Sequence, residues 1–224
     1  MYRDKERYGQ KPSTVLKSKT AFKTPYKWKE PALVFTCSWS DWFIEDADEW
    51  RPEAWEIIKN TPHLTYQILT KRPERILNHL PWDWGDGYDN VWLGISGENE
   101  ELTYQRLVEL HKVPAKVKFI SAEPLLEDIT SNRNIELIRK LDWVIIGGES
   151  GNDTGKYRYR PMAQSWAQNI IDVCNTYNVT CFMKQLGTDL AKQLQCKDRH
   201  GGDITEWPIS LQVRQFPFAH QTNP

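Results

Sequence analysis

Six short apolar runs recur along the chain, and each ends in a polar or charged cluster. The runs are 33–37, 64–69, 91–95, 117–120, 143–146 and 179–183. The clusters after them are Ser38–Trp39–Ser40–Asp41, Thr70–Lys71–Arg72, Ser96–Gly97–Glu98, Ser121–Ala122–Glu123–Pro124, Gly147–Gly148–Glu149–Ser150 and Lys184–Gln185. Continuous apolar runs rich in Val and Ile mark strands buried on both faces. The segments between most of them are amphipathic and of helical length. Residues 48–60 carry Pro52 in the first turn and Trp50, Ala54, Ile57 and Ile58 on one stripe. Thr70 can cap a helix that starts with Pro73 and Glu74 and buries Ile76, Leu77 and Leu80. Asn99 can cap the next, running to about Lys112, and 134–141 is a short one carrying Ile135, Ile138 and Leu141. Met162, Trp166, Ile170, Cys174 and Tyr177 form the clearest helical stripe.

Strand, cap and helix in alternation predict an α/β fold: a partial (β/α) barrel with six parallel strands, or a doubly wound open sheet, which periodicity alone does not separate. In either, all strand C-termini open on one face, so the clusters are expected to converge on one site. The expected organisation is a basic flank over 1–32, the β/α domain over 33–187 and an irregular C-terminal extension over 188–224.

Composition narrows the class. The chain has 224 residues, 39% hydrophobic and 26% charged, with a net charge of −1, which fits a globular protein with no global field for nucleic acid. No apolar stretch approaches the about 20 residues of a membrane span. Residues 1–8 are charged and lack an apolar core, which argues against a signal peptide and predicts a cytoplasmic protein. Cys37, Cys174, Cys181 and Cys196 are spread without a C-x-x-C pair and read as small buried hydrophobes. The flank interleaves Lys11, Lys17, Lys19, Lys23, Lys27 and Lys29 with Tyr8, Phe22, Tyr26 and Trp28. That pattern suits a nucleic-acid contact, or a solvated charge run.

The strand-end chemistry is carried by Asp41, Glu98, Glu123 and Glu149 against Lys71, Arg72 and Lys184. A strand-end carboxylate serves as general base, metal ligand or anchor for a cationic group; the alternative is a structural ion network. Gly147 and Gly148 suit close approach of a ligand to the backbone. Pro124 keeps Glu123 outside the helical region of backbone space. His63, His79, His111, His200 and His220 all lie away from strand ends, so no Ser/His/Asp triad is assembled.

Several strings occur in order: FTCSWSD at 35–41, QILTKRPER at 67–75, NVWLGIS at 90–96, SAEPLL at 121–126, LDWVIIGGESG at 141–151, RPM at 160–162 and FMKQ at 182–185. Together they resemble a family of phage and bacterial proteins carrying a three-cysteine motif and similar to radical S-adenosylmethionine enzymes. The resemblance implies a radical-SAM-like barrel, S-adenosylmethionine and a [4Fe–4S] cluster held by three clustered cysteines after the first strand. This chain departs there: residues 1–9 resemble the stretch just after the family's cysteines, so the first strand and all cluster ligands are expected to be missing. A longer reading frame, or a degenerate member that lost the chemistry, would each explain this. A partner protein supplying or neighbouring the missing segment is then expected.

The resulting expectation is a radical-SAM-like protein acting on a nucleic acid or nucleotide. Its alternatives are a non-catalytic nucleotide or nucleic-acid-binding module, or a cofactor-independent hydrolase or lyase using Glu123 and Glu149. The candidate site places Glu123, Glu149 and Lys184 at the chemistry. Gly147, Gly148, Glu149, Ser96 and Glu98 face a cofactor, and Ser40, Asp41, Lys71, Arg72 and Arg160 face a substrate. No metal ligand is expected in this chain itself.

Overall fold

The structure, a computed structural model, describes residues 15–18, 20–38, 40–154 and 158–217. The 1–9 string, Tyr8, Lys11 and Lys19 of the flank, Trp39 of the first strand-end cluster and His220 lie outside these residues.

All six apolar runs are strands: β1 (Ala32–Phe35), β2 (Leu64–Thr70), β3 (Val91–Ser96), β4 (Val117–Ala122), β5 (Trp143–Gly147) and β6 (Thr180–Gln185). Their hydrogen-bonded order is β1-β2-β3-β4-β5-β6. Register shows parallel pairing of β1 with β2, β4 with β5, and β5 with β6. An order that follows the chain has no reversal point, and a reversal defines a doubly wound sheet. The open-sheet alternative is therefore excluded.

The described residues fall into two compact units, and the division runs inside β3, after Trp92; the short stretch Pro114–Lys116 belongs with the first unit. The first unit contains β1, β2 and helix α1 (Arg51–Lys59), which carries Pro52 in its first turn and buries Trp55, Ile57 and Ile58. Trp55 packs edge-on to Trp42 and against Trp84 and Tyr88, with ring centroids 5.3, 5.4 and 6.3 Å away. The helix expected after Thr70 forms only two 3₁₀ turns, Pro73–Arg75 and Leu77–His79, and Leu77 is exposed. Arg75 is the reason. Its guanidinium donates to the Phe43 carbonyl at 2.8 Å and to Asp48, which holds this segment to the 41–50 loop and not to a continuous helix. Lys17 and Lys23 of the flank pair with Glu53 on α1.

The second unit contains β4, β5, β6 and the helices α2 (Glu100–His111), α3 (Asn132–Ile138), α4 (Gln164–Tyr177) and α5 (Gly187–Gln193). Asn99 caps α2 as its sequence predicts, its Oδ1 accepting from the Leu102 N–H at 2.9 Å. Asn178 takes a left-handed conformation (φ 56°) that ends α4 and lets the Val179 N–H reach the Cys174 carbonyl at 2.9 Å. Helix α5 corrects the expectation of an irregular tail from 188 onward. Its stripe of Leu190 and Ala191 is too short to stand out as periodicity.

The two ends of the sheet differ. The outer edge of β6 is covered by residues 213–215: Met183 N–H donates to the Val213 carbonyl at 2.7 Å and Gln215 N–H to the Cys181 carbonyl at 2.9 Å. On β1, Leu33 and Phe35 remain 39% and 48% exposed. No helix among the described residues is long and apolar enough to cross a membrane.

Substituting Asn99→Ala removes the acceptor for the first turn of α2 and is expected to cost about 1 kcal/mol of stability, read by urea unfolding. Asn99→Asp, which keeps the acceptor and suits the helix dipole, should cost nearly nothing.

Candidate functional site

In the first unit, the ends of β1 and β2 are organised around the buried carboxylate of Asp41. Its Oδ1 accepts from the Phe43 N–H at 2.9 Å and the Thr70 hydroxyl at 2.7 Å. Its Oδ2 accepts from the Lys71 N–H at 2.8 Å and lies 3.3 Å from Arg72 Nη1. Four donors on one carboxylate make a staple between two loops, so Asp41 sets the shape of this strand end. Arg72 also reaches Glu45 at 3.7 Å. Ser40 is exposed, and its N–H closes a turn on the Cys37 carbonyl at 3.0 Å. Behind this loop, buried Arg51 donates to the carbonyls of Trp42 and Ile44 and to Asp48. The guanidinium groups of Arg51 and Arg75 hold the Asp48 carboxyl far below the usual carboxylate range.

The second unit brings together the ends of β3 to β6. Backbone bonds lace them: Gly97 N–H to the Ser121 carbonyl at 3.0 Å, Leu125 N–H to Gly147 at 2.9 Å and Leu126 N–H to Glu98 at 2.8 Å. Ser96 is buried, and its carbonyl accepts from Arg106 Nη1 at 2.7 Å. The same Nη1 lies 2.8 Å from Glu98 Oε2, so this carboxylate is buried against a cation.

Glu123, which precedes a cis Pro124, receives both Nζ contacts of Lys184, at 3.0 and 2.8 Å, and the Gln185 amide at 3.0 Å. Two consecutive strand residues ordinarily point to opposite faces. Here the register shifts between Ile146 and Gly147: Ile146 pairs with Met183, but Gly147 pairs with Gln185. Lys184 is the extra residue of a β-bulge, and the bulge turns both neighbours onto one carboxylate.

Glu149 is held by Arg160 in a fork. Nε and Nη2 approach its two oxygens at 2.8 and 2.7 Å, and the Arg160 N–H adds a third bond at 2.8 Å. These bonds lower the Glu149 pKa, and Arg160 is held more firmly protonated by Glu149 first and by Glu98 as a further charge. The cations are the outer members of both pairs. Lys184 and Arg160 side chains are 52% and 57% exposed, and Glu123 and Glu149 only 19% and 24%.

The space beside the glycines is already filled. A Cβ on Gly148 would sit 2.1 Å from the Leu186 carbonyl oxygen, and one on Gly147 would meet the Glu123 side chain at 3.0 Å. Gly187, at φ +77°, returns the contact on Gly148. Close backbone approach does occur here, and its partner is the loop after β6. Thr188 N–H then donates to the Glu149 carbonyl at 3.0 Å.

Of the residues that sequence singles out, Glu98, Glu123, Glu149, Arg160 and Lys184 gather in the second unit. Asp41, Lys71 and Arg72 gather in the first, each unit having its own strand-end cluster. Arg106, Ser150 and Gln185 complete the second cluster; Ser150 and Gln185 stand in the strand-end clusters the sequence marks, without a role assigned to them, and Arg106 on α2 carries no such signal. Gln185 stands in the polar end of β6, but only the register shift reveals its direction.

A [4Fe–4S] cluster does not fit the cysteines present. Cys37 is exposed, Cys174 and Cys181 are buried against each other, and Cys196 is partly buried on the segment after α5. Hydrogen bonding to Cys181, and then burial, push the Cys174 thiol far above its usual range, away from the thiolate a metal needs. Among the described residues no three His, Cys, Asp or Glu side chains are grouped to hold a metal ion.

The family described as "Protein of unknown function (DUF5131)" matches residues 2–208. No curated protein and no solved structure matches.

The Glu149–Arg160 pair has a definite pH signature. Because the folded-state pKa of Glu149 is lowered, its contribution is complete above the ordinary glutamate value of about 4.3 and disappears as pH falls through the lower folded value. Glu149→Gln is therefore expected to cost about 0.5–1 kcal/mol at pH 7. The difference from wild type should shrink toward zero as pH falls below the ordinary glutamate value and through the lowered folded-state one, checked by urea unfolding across pH.

Proposed function

The chain belongs to the family of proteins of unknown function DUF5131, and we propose that its second unit binds a small zwitterionic ligand of the nucleoside–amino-acid class, S-adenosylmethionine first among them. The supporting observation is the layering of charge at the ends of β4, β5 and β6. Exposed cations, Lys184 and Arg160, lie over less exposed carboxylates, Glu123 and Glu149.

Partly exposed ion pairs of this kind contribute little to folding, on the order of 0–1 kcal/mol each. They are exchangeable. A ligand carboxylate or phosphate takes Lys184 and Arg160, and the freed Glu123 and Glu149 take an ammonium group or ribose hydroxyls. Each internal pair is replaced by two charge-assisted bonds to the ligand, which keeps every buried charge partnered. A purely anionic ligand would leave the carboxylates uncompensated, and a purely cationic one would strand Lys184 and Arg160. The charge pattern thus favours a ligand carrying both signs.

S-adenosylmethionine meets that requirement through its amino and carboxylate groups and its ribose, and the resemblance of the ordered strings to radical S-adenosylmethionine enzymes points the same way. The cysteines present do not fit a cluster. Binding, rather than catalysis by this chain alone, is the function proposed.

Isothermal calorimetry with S-adenosylmethionine, AMP and free methionine tests this. S-adenosylmethionine is expected to bind more tightly than either fragment, and Glu149→Ala or Lys184→Ala should weaken it by roughly tenfold or more. Absence of S-adenosylmethionine binding, or affinity unchanged in Glu149→Ala, would overturn the assignment.

A further inference from the structure

We propose that Gln185 is the positioning residue of this site: through its side-chain amide it sets the place of Glu123 and of the loop after β5 for the ligand. The inference rests on the ligand-binding reading above and assigns a role to a residue outside the charged pairs.

The observation is one nitrogen with three acceptors from two strand ends. Gln185 Nε2 lies 3.0 Å from Glu123 Oε1 after β4, and 2.9 Å from the Gly148 carbonyl and 3.1 Å from Ser150 Oγ after β5. The amide has two N–H donors, so these are shared among three oxygens, and all are acceptors toward it. Its orientation is thereby fixed. A flipped amide would set its oxygen against the Glu123 carboxylate and the Gly148 carbonyl, acceptor against acceptor. The backbone repeats the link, with the Gly148 N–H donating to the Gln185 carbonyl at 3.1 Å.

The bulge in β6 is what makes this possible. With Lys184 as the extra residue, Lys184 supplies the charge on Glu123 and Gln185 supplies the direction. Lys184 can leave for a ligand anion because Gln185 stays, so Glu123 keeps one donor throughout. A neutral donor suits that task. A second cation would bind Glu123 too firmly to release it to the ligand, and a carboxylate would repel it.

Gln185→Glu is nearly isosteric and separates positioning from packing through pH. Charged groups about the introduced carboxyl include Glu123 and Lys184 at the strand ends, Glu149 between Gly148 and Ser150 with its partner Arg160, and Arg214, whose Nη2 donates to the Lys184 carbonyl at 3.2 Å. Crowding against the Glu123 carboxylate raises the pKa of the introduced carboxyl. Ionised, the new group pushes Glu123 and Gly148 away; protonated, its single O–H restores one of the amide's donations, to the Glu123 carboxylate.

Calorimetry with S-adenosylmethionine on wild type, Gln185→Glu and Gln185→Leu at pH 7.5 and 5.5 gives the test. Both variants should bind about tenfold more weakly than wild type at pH 7.5. At pH 5.5 the ratio of Gln185→Glu to wild type should shrink at least about threefold, and that of Gln185→Leu should not move. Parallel behaviour of the two variants with pH, or unchanged affinity in both, overturns the proposal. Hydrogen exchange at residues 149–151 reads the same role without ligand. Faster exchange in Gln185→Leu supports it, and unchanged exchange overturns it. If wild type binds no S-adenosylmethionine but Gln185→Leu still exchanges faster than wild type, the ligand assignment is overturned and the positioning role is supported.

Discussion

One extra residue at the end of β6 governs the geometry of the second unit. In a regular strand Lys184 and Gln185 would diverge to opposite faces. The register shift against Gly147 turns both onto Glu123, and the same shift puts the Gln185 carbonyl on the Gly148 N–H. Downstream, the chain passes through Leu186 and the left-handed Gly187, whose backbones press on Gly148 without room for a Cβ. Glu149 follows directly and is placed by that contact before Arg160 closes on it. The convergence on Glu123 and the close approach at Gly148 both sit at this one local deviation from the ladder.

Electrostatics then decides what such a site can do. Its pairs are too exposed to add much to stability, yet their carboxylates are too sheltered to be left unpartnered. A site of this kind is held ready by internal partners that a ligand can replace. The first unit uses the same residue types differently. Asp41 is buried with four donors and Arg51 with three acceptors, and neither presents an exchangeable pair. Identical side chains are structural in one unit and available in the other because of burial and donor count.

The six strands were legible because each is a short stretch dominated by apolar residues that ends in a polar cluster, a pattern that local sequence carries. The Asn99 cap follows from a side chain three residues from the amide it holds. The failures share a physical cause. The segment after Thr70 has helical periodicity in Ile76, Leu77 and Leu80, but Arg75 is claimed by Phe43 and Asp48, some thirty residues upstream. Gly147 and Gly148 signal close approach, but not that Leu186 is what approaches. The carboxylates of the site were legible as strand-end acids; their pairing, and Gln185 as the residue between them, depend on a register shift that leaves no trace in composition or periodicity.

The most direct test of the bulge as organiser is a pair of double-mutant cycles for unfolding, Glu123→Gln with Lys184→Met and Glu123→Gln with Gln185→Leu. Both adjacent residues reach one carboxylate, so both cycles should show coupling of about 0.5 kcal/mol or more. A regular strand end would send one of the two side chains to the other face. Additivity in either cycle would contradict the account.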